Sequence, residues 1–384
     1  MILLRVLIFF LLLLLLPDWY IYRTYLSRTR SKTAKRIFWF PSIALLAGLL
    51  TFMIGRDALH DSLGLYLIVM LCVAVPKTVF ALISLLLRGI GRLFRFRMPH
   101  GWVSLIPSLA VFGYVLFGAI EGKEHFQVKD VTFISPDLPD GFDGYRILQL
   151  SDIHSGSWKG NADAIQEAVD ISNRQQADLI VFTGDLVNSR ASELPEFMPA
   201  LSQLKAKDGV YSITGNHDYG TYVHWDSDAD REANFRKLIE EEKRMGWDVL
   251  MNENRILHRG NDSIALVGVE NSGNPPFPDK ADMPKAMKGT EGMFKVLLSH
   301  DPTHWRRTVL PDTDIQLMLA GHTHDMQISV FGFSASQFIY PEHRGLYLEG
   351  GRGLYVNIGL GYVLFPFRLG AWPEITVITL KQEK

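Results

Sequence analysis

The sequence YRILQLSDIH, residues 145–154, joins a mostly apolar, strand-like run to a carboxylate and an imidazole. The run from 145 to 150 is typical of a strand, and Asp152 and His154 follow it. Side chains at positions i and i+2 of an extended segment point to the same side, so both are expected to reach one metal ion. Taken alone, this arrangement also fits a solvated turn, in which Asp is common.

Four more strand-like runs end in side chains of the same chemistry. They span residues 178–182, 210–213, 294–298 and 315–319. The groups that follow them in turn are Asp185, then Asn216, His217 and Asp218, then His300, and finally His322 and His324. Because ligand sites in layered α/β folds lie at the carboxyl ends of strands, we expect these groups to converge.

These residue types suit a pair of divalent cations. Asp185 has two carboxylate oxygens and can bridge two ions, and the side-chain oxygen of Asn216 is a neutral hard ligand. His217 is expected to lie beside the metal pair, with Asp218 holding its other ring nitrogen. Any one motif also fits a turn or a buried histidine with a satisfied hydrogen bond, but five such strand ends together favour a metal centre.

The first third of the chain predicts membrane helices. Apolar stretches at residues 2–22, 37–54, 63–87 and 102–120 are about long enough to cross a bilayer. A cleaved signal peptide is the alternative for residues 1–16, but no small-residue cleavage site follows them. The single cysteine, Cys72, lies in the third span and excludes an intrachain disulfide. We therefore expect a four-helix transmembrane region over residues 1–122 and a catalytic domain over residues 123–384.

Loop charges predict the orientation of these spans. The first loop carries Arg23, Arg28, Arg30, Lys32, Lys35 and Arg36, and the third carries Arg88, Arg92, Arg95 and Arg97. The second loop has only Arg56, against Asp57 and Asp61. By the positive-inside rule the two basic loops are cytoplasmic. Four spans then place the catalytic domain on the non-cytoplasmic side of the plasma or inner membrane.

The motifs LSDIH, FTGDLV, GNHDY, LLSH and GHTH begin at residues 150, 182, 215, 297 and 321. Together they make the chain resemble the calcineurin-like metallophosphoesterases, in particular their membrane-associated branch, from residue 145 to the C-terminus. The resemblance implies an α/β fold of four layers, with two mixed β-sheets flanked by helices. The membrane spans add an α-helical region in front of it.

The resemblance also implies which residues hold the metals. One ion would be bound by Asp152, His154, Asp185 and His324, and the second by Asp185, Asn216, His300 and His322. His217 would act as an acid beside them. Ligation by oxygen and imidazole without thiolate fits Mn²⁺, Fe or Zn²⁺ and leaves the choice among them open.

Three positions depart from the family pattern. Asn188 stands where the second motif usually has an Asp three residues after its own, and Asp325 and Met326 stand where many relatives have two glycines. The predicted metal ligands are unaffected by these changes. Substrate preference and rate are the properties they bear on.

The expected activity is hydrolysis of a phosphomonoester, phosphodiester or pyrophosphate bond by activated water. The tether to a bilayer suggests a lipid or lipid-linked substrate, as do aromatic residues near the motifs, although aromatics also pack beneath loops. These aromatics are Tyr219, Tyr222, Trp225, Phe331, Phe333, Phe338 and Tyr340. A catalytically silent membrane-anchored scaffold on the same fold is the alternative.

Partners are predicted from charge and composition. Basic clusters lie in the membrane loops and not in the soluble half, so membrane lipids are expected as partners and nucleic acid is not. The residues leave oligomeric state and ester preference open.

Overall fold

The computed structural model describes residues 2–54, 60–96 and 98–383. It divides into two compact units. The membrane unit comprises Met1–Gly122 and Leu364–Leu369, and the catalytic unit comprises Lys123–Val363 and Gly370–Lys384. Three residues of the orientation argument, Arg56, Asp57 and Arg97, lie outside the described residues.

Four helices form the membrane unit. They are α1 (Ile2–Ile21), α2 (Lys32–Ile54), α3 (His60–Leu93) and α4 (His100–Ile120). Within the described part of the chain, three segments are long and apolar enough to cross a membrane: Lys32–Phe52, Ser62–Leu93 and His100–Ile120. Leu14 of α1 packs in one buried cluster with Leu45 of α2 and Met70 of α3.

Each of these four helices contains a proline followed by a polar residue. The pairs are Pro17-Asp18, Pro41-Ser42, Pro76-Lys77 and Pro107-Ser108. Nζ of Lys77 lies 2.8 Å from Oδ1 of Asp18 and donates to Oγ of Ser42 at 3.0 Å. Oγ of Ser108 donates to the carbonyl oxygen of Pro76 at 2.7 Å. The helices therefore share one buried polar junction, in which the lysine and aspartate neutralise each other.

The membrane unit also includes a short segment from far along the chain. Leu364–Leu369 belongs to it, and the backbone N–H of Arg368 donates to the carbonyl oxygen of Gly118 in α4 at 3.1 Å. Phe367 and Leu369 are buried. The sequence-based division at residues 122 and 123 contains no such return.

The catalytic unit is built on two six-stranded sheets. Its strands are β1 (Gln127–Ser135), β2 (Arg146–Leu150), β3 (Leu179–Phe182), β4 (Val210–Ser212), β5 (Asp248–Val249), β6 (Glu253–Arg259), β7 (Asp262–Gly268), β8 (Phe294–Leu298), β9 (Leu317–Ala320), β10 (Gly345–Glu349), β11 (Arg352–Val356) and β12 (Glu374–Gln382). The first sheet has the order β1-β12-β2-β3-β4-β5 and the second β10-β11-β9-β8-β7-β6. Parallel and antiparallel pairs occur in both, so both are mixed.

Helices cover the outer face of each sheet. Against the first sheet lie α5 (Ala162–Arg174), α6 (Met198–Leu201) and α7 (Asp228–Arg244), and against the second lie α8 (Met283–Ala286) and α9 (Leu310–Asp312). Ile147 and Leu179 of the first sheet meet Val296 of the second, whereas their neighbours Leu148 and Ile180 face the helices. Strands buried on both faces read as continuous apolar runs. The predicted four-layer fold is confirmed.

Candidate metal centre

The predicted ligands converge where β2, β3 and β4 of one sheet and β8 and β9 of the other end. Three groups of side chains have potential ligand atoms within 4.8 Å of one another: Asp152, His154 and His324; His154, Asp185 and His217; and Asp185, His300 and His322. Most of these residues are fully buried. His322 and His324 enter different groups although they are two residues apart.

Distances inside the groups match the spacing of ligands around a metal ion. Nε2 of His324 lies 3.2 Å from Oδ1 of Asp152 and 3.0 Å from Nε2 of His154. Nδ1 of His322 lies 3.3 Å from Nε2 of His300. Ligands bonded at about 2.1 Å with tetrahedral or octahedral angles are roughly 3.0 to 3.4 Å apart. The groups are therefore preformed for cations.

One oxygen of Asp185 faces two of these groups. Its Oδ2 lies 3.6 Å from Nε2 of His154 and 3.2 Å from Nε2 of His300. Its Oδ1 accepts a hydrogen bond from the backbone N–H of His217 at 2.8 Å. The carboxylate is thus held between the two sides of the site.

Asn216 provides a test of whether a cation fits. Its side-chain oxygen is buried and has no hydrogen-bond partner among the described residues, while its Nδ2 donates to the hydroxyl of Tyr222 at 2.7 Å. A buried polar atom without a partner is costly, and a bound cation would satisfy this one. With carboxylate and imidazole groups nearby, the donor set suits a divalent metal.

Most of the proposed ligands have a left-handed backbone. The φ angles are 49° at Asp152, 49° at His154, 59° at Asp185, 76° at His322 and 49° at His324. Non-glycine residues rarely adopt such angles, and each costs about 1 to 3 kcal/mol. The expectation that Asp152 and His154 lie on an extended segment is therefore wrong. Their side chains converge because the loop backbone turns sharply at both positions.

Gly184 permits the close approach of two loops. Its φ is 96°, and a Cβ atom there would lie 2.5 Å from the backbone nitrogen of Gly215 and 2.9 Å from Nδ1 of His300. Its carbonyl oxygen accepts from the backbone N–H of Asp152 at 2.9 Å. Glycine is therefore required for the loops after β2, β3 and β4 to meet.

Asp218 has a different role from the predicted one. Its carboxylate accepts backbone N–H groups, not the ring nitrogen of His217, and the donors are Asp185, Leu186, Val187 and Gly215 at 2.8 to 3.3 Å. Burial and the charge of Asp185 raise the pKa of Asp218 to about 7, although the hydrogen bonds from Gly215 and Val187 lower it. The prediction that Asp218 orients His217 directly is wrong, because its side chain points back to the loop after β3.

His217 is oriented by a backbone carbonyl instead. Its Nδ1 lies 2.7 Å from the carbonyl oxygen of Asn188, which can only accept, so Nδ1 carries a proton. The ring stacks on Tyr222, with centroids 4.1 Å apart and planes at 18°, and stands edge-on to His154 at 4.7 Å. The Asn188 side chain bonds to Ser157. Position 188 departs from the family pattern only in its side chain. Its main-chain carbonyl oxygen remains the hydrogen-bond acceptor for His217.

The carboxylates make the centre attractive to positive charge. Burial lowers the pKa of His300, but the carboxylate of Asp185 outweighs this effect and raises it to about 10. Burial raises the pKa of Asp152, but His324 and His300 outweigh that and hold it well below its usual range. A cation and a proton therefore compete for the same place.

A loop after β11 completes the site and was not predicted. The backbone N–H groups of Leu360 and Gly361 donate to the carbonyl oxygens of Ser151 and Asp152 at 3.0 and 2.8 Å. A Cβ atom on Gly359, whose φ is 79°, would lie 2.6 Å from Cβ of Asp152. The signal available in the sequence was a pair of glycines just after the apolar run at 354–356.

The fold and the centre agree with comparisons of the sequence with known proteins. The profile of the calcineurin-like phosphoesterases matches residues 145–326, and that of the probable calcineurin-like phosphoesterase transmembrane domain matches residues 4–123. The chain belongs to the calcineurin-like phosphoesterase family and is a membrane protein. Family membership and the clustered carboxylate and imidazole groups together indicate a divalent-metal site.

Several relatives align with more than two thirds of this chain. The metallophosphoesterase YkuE of Bacillus subtilis is 32% identical over 272 residues, 68% of this chain and 86% of its own. A transmembrane protein with a metallophosphoesterase domain from Danio rerio is 34% identical over 277 residues, and the match spans 70% of this chain and 60% of that protein. A metallophosphoesterase of Campylobacter jejuni is 25% identical over 385 residues, 96% of each chain.

Proposed function

We propose that this chain is a membrane-anchored phosphoesterase that hydrolyses a phosphomonoester, phosphodiester or pyrophosphate bond at a centre for two divalent cations. The observation that carries the proposal is the position of Asp185, whose Oδ2 lies 3.6 Å from Nε2 of His154 and 3.2 Å from Nε2 of His300. A single carboxylate oxygen so placed can be shared by two cations. Family membership supports the reaction class.

Each cation has a complete set of side chains to hold it. One set is Asp152, His154, Asp185 and His324, and the other is Asp185, Asn216, His300 and His322. When bound, Mn²⁺, Fe or Zn²⁺ supplies charge neutralisation at the phosphoryl group and lowers the pKa of water. None of the seven residues is missing, which favours an enzyme over a silent scaffold.

His217 is placed to serve the leaving group. Nδ1 is engaged by the carbonyl oxygen of Asn188, which leaves Nε2 for the substrate. Stacking on Tyr222 fixes the plane of the ring. We propose that protonated His217 donates to the departing oxygen.

The decisive experiment compares Asp185→Asn with Asp130→Asn in the full-length protein. Asp130 is an exposed residue of β1 and serves as the control. Bound metal is measured by elemental analysis, and hydrolysis is measured with nitrophenyl monoester and diester substrates in added Mn²⁺. Asp185→Asn is expected to lose bound metal and at least about a hundredfold in rate, because a bridging charge acts on both cations.

Two outcomes would contradict this proposal. Wild-type activity in Asp185→Asn would refute the bridging role. Metal binding by the wild-type protein without turnover of any phosphoester would instead support a scaffold on this fold.

The membrane anchor supports a proposal about substrate and location. We propose that the substrate is an amphiphilic phosphate ester, a lipid or a lipid-linked phosphate. The basic first and third loops favour a catalytic unit on the non-cytoplasmic side. Of the aromatic residues singled out by sequence, Tyr219 stacks on Phe235, and Nε1 of Trp225 donates to the carbonyl oxygen of Gly220. Those two therefore make contacts within the catalytic unit.

A further inference from the structure

An exposed apolar loop lies beside the metal centre in the sequence. Residues 328–340, called here the apolar loop, contain no charged residue. The side chain of Phe331 is fully exposed, and four more apolar side chains are exposed by two fifths or more: Val330, Phe333, Phe338 and Ile339. A soluble protein rarely exposes so many large apolar groups together, and such a patch marks a site of contact.

The tip of the apolar loop is ordered, and its backbone is largely paired. Val330 and Phe333 exchange two backbone hydrogen bonds of 2.9 and 3.0 Å. Nη2 of Arg344 donates to the carbonyl oxygen of Gly332 at 2.8 Å, and Oγ of Ser334 donates to that of Asp325 at 2.7 Å. An apolar medium offers no hydrogen bonds, so a segment that enters it must satisfy its polar groups internally. This loop largely meets that requirement.

The base of the apolar loop is tied to the two residues that flank the return segment of the membrane unit. Oε1 of Gln327 accepts from the backbone N–H of Val363 at 2.6 Å, and Ile328 forms a β-bridge with Gly370. Val363 and Gly370 immediately precede and follow Leu364–Leu369, which belongs to the membrane unit. The loop is therefore anchored to the two residues of the catalytic unit at which the chain passes into the membrane unit and returns from it.

The other end of the apolar loop contacts the metal centre. The hydroxyl of Tyr340 lies 3.0 Å from Nε2 of His322. His322 belongs to the group with Asp185 and His300. The loop thus runs from the flanks of the return segment to a proposed metal ligand.

We propose that the apolar loop is immersed in the interfacial region of the bilayer and admits lipid phosphate esters to the metal centre. Phe331, Phe333 and Phe338 contact acyl chains. Arg344, which is partly exposed, is held beside the tip by an ion pair with the buried Asp325 at 3.1 Å. Immersion of the loop stands on its own contacts, whereas admission of lipid phosphates rests on the proposed function.

A fluorescent label tests the immersion. Cys72→Ala removes the only cysteine, and Phe331→Cys then allows labelling of the tip with the polarity-sensitive fluorophore NBD. The full-length protein is reconstituted in vesicles of phosphatidylcholine and phosphatidylglycerol. Emission from position 331 is expected to shift to the blue and to be quenched by doxyl-labelled lipid. Lys205→Cys, at an exposed polar position of the catalytic unit, is the matched control and should show neither effect.

Two results would overturn immersion. Emission from position 331 like that from position 205 would show that the tip lies in water. A blue shift without quenching by doxyl lipid would show that protein, a second copy of the chain included, covers the tip.

A pair of substrates tests the admission of lipids. Phosphatidic acid in vesicles and glycerol 3-phosphate carry the same ester with and without acyl chains. In Phe331→Ser/Phe333→Ser, hydrolysis of the lipid should fall about tenfold or more. Burial of one Phe side chain in an apolar medium changes a binding constant by about that factor. Hydrolysis of the soluble ester should be unchanged.

The outcomes separate the two proposals. An equal loss on both esters would overturn lipid admission. If the wild-type protein hydrolyses neither ester nor any nitrophenyl substrate, the proposed function fails, while the label still decides whether the loop contacts lipid.

Discussion

The carbonyl oxygen of Asn188 lies 2.7 Å from Nδ1 of His217 and fixes which ring nitrogen faces the centre. The acceptor belongs to the main chain, so it survives a change of side chain. Replacing the usual family aspartate by asparagine at this position therefore alters charge near His217 without removing its partner.

His217→Ala and Asn188→Ala are expected to behave differently. His217→Ala should retain bound metal and lose about a hundredfold or more in rate, with a larger loss for alkyl than for nitrophenyl esters, because good leaving groups need little protonation. Asn188→Ala keeps the carbonyl and should stay close to wild type. Steady-state kinetics on both ester types measure this. Equal losses for the two esters in His217→Ala would remove the acid role.

Asp218→Ala should destabilise the catalytic unit. It strips one acceptor from four buried backbone donors of the loops after β3 and β4. A loss of about 3 kcal/mol or more in the free energy of unfolding is expected, since each unsatisfied buried group costs about 1 to 3 kcal/mol. Denaturant unfolding in detergent measures it, with Asp130→Ala as the control. A change within about 0.5 kcal/mol would show that these hydrogen bonds contribute little.

Glu242 should make stability fall as the pH rises. It is buried on α7 and accepts from Oγ of Ser212 at 2.5 Å; burial and the charge of Asp218 raise its pKa from 4.5 to about 8. The protonated carboxyl thus favours the folded state below pH 4.5, and this contribution is lost as the pH rises toward 8. Within that window the cost reaches about 1.4 kcal/mol per pH unit.

Glu242→Gln should remove that dependence. The melting temperature of the variant minus that of the wild type is expected to increase from pH 5 to pH 8. Glutamine needs no proton to stay neutral, so the variant does not lose stability over this range at position 242. Glu240→Gln, an exposed neighbour on α7, is the control. Parallel melting curves for wild type and Glu242→Gln across this range would contradict the prediction.

Lys77→Met should destabilise the membrane unit by about 3 to 5 kcal/mol, because Asp18 would keep a buried charge without its counter-ion. The double variant Asp18→Asn/Lys77→Met removes both charges and should recover most of the loss. Thermal unfolding of the full-length protein in detergent measures both. A double variant less stable than Lys77→Met would show that the pair does not act as a neutralising unit.

The orientation proposal predicts the behaviour of reporters fused after residue 384. An alkaline phosphatase that is active only outside the cytoplasm should be active there, because the basic first and third loops are retained inside. A reporter active only in the cytoplasm should be silent at the same position. The reverse pattern would place the catalytic unit in the cytoplasm.

The convergence of the polar groups could be inferred from sequence, because parallel strands bring their carboxyl ends to one edge of a sheet. Residues 294–298, for example, read as a strand and form β8 with the same bounds, and His300 follows it. The run at residues 178–182 likewise forms β3, Leu179–Phe182, and Asp185 follows it. The local pattern of apolar residues predicts where each strand lies, and the polar residues that the strand positions follow it within a few residues of sequence.

The contacts that were missed join residues distant in sequence. Three of the four backbone donors to Asp218 come from a different loop, and the glycines at 359 and 361 act on residues some two hundred positions earlier. The left-handed angles at Asp152 and His154 also escape periodicity, because they depend on loops that close around them. Such features arise from packing between sheets, which no local pattern records.

The segment Leu364–Leu369 constrains how this protein can be dissected. Phe367 and Leu369 are buried in the membrane unit, so a fragment that starts at Lys123 would present them to water and aggregate. A soluble catalytic fragment needs polar replacements at these positions as well as removal of the N-terminal helices. Chimeras that exchange the anchor between relatives must transplant both pieces, since one splice point would separate a segment from the helices it evolved to pack with.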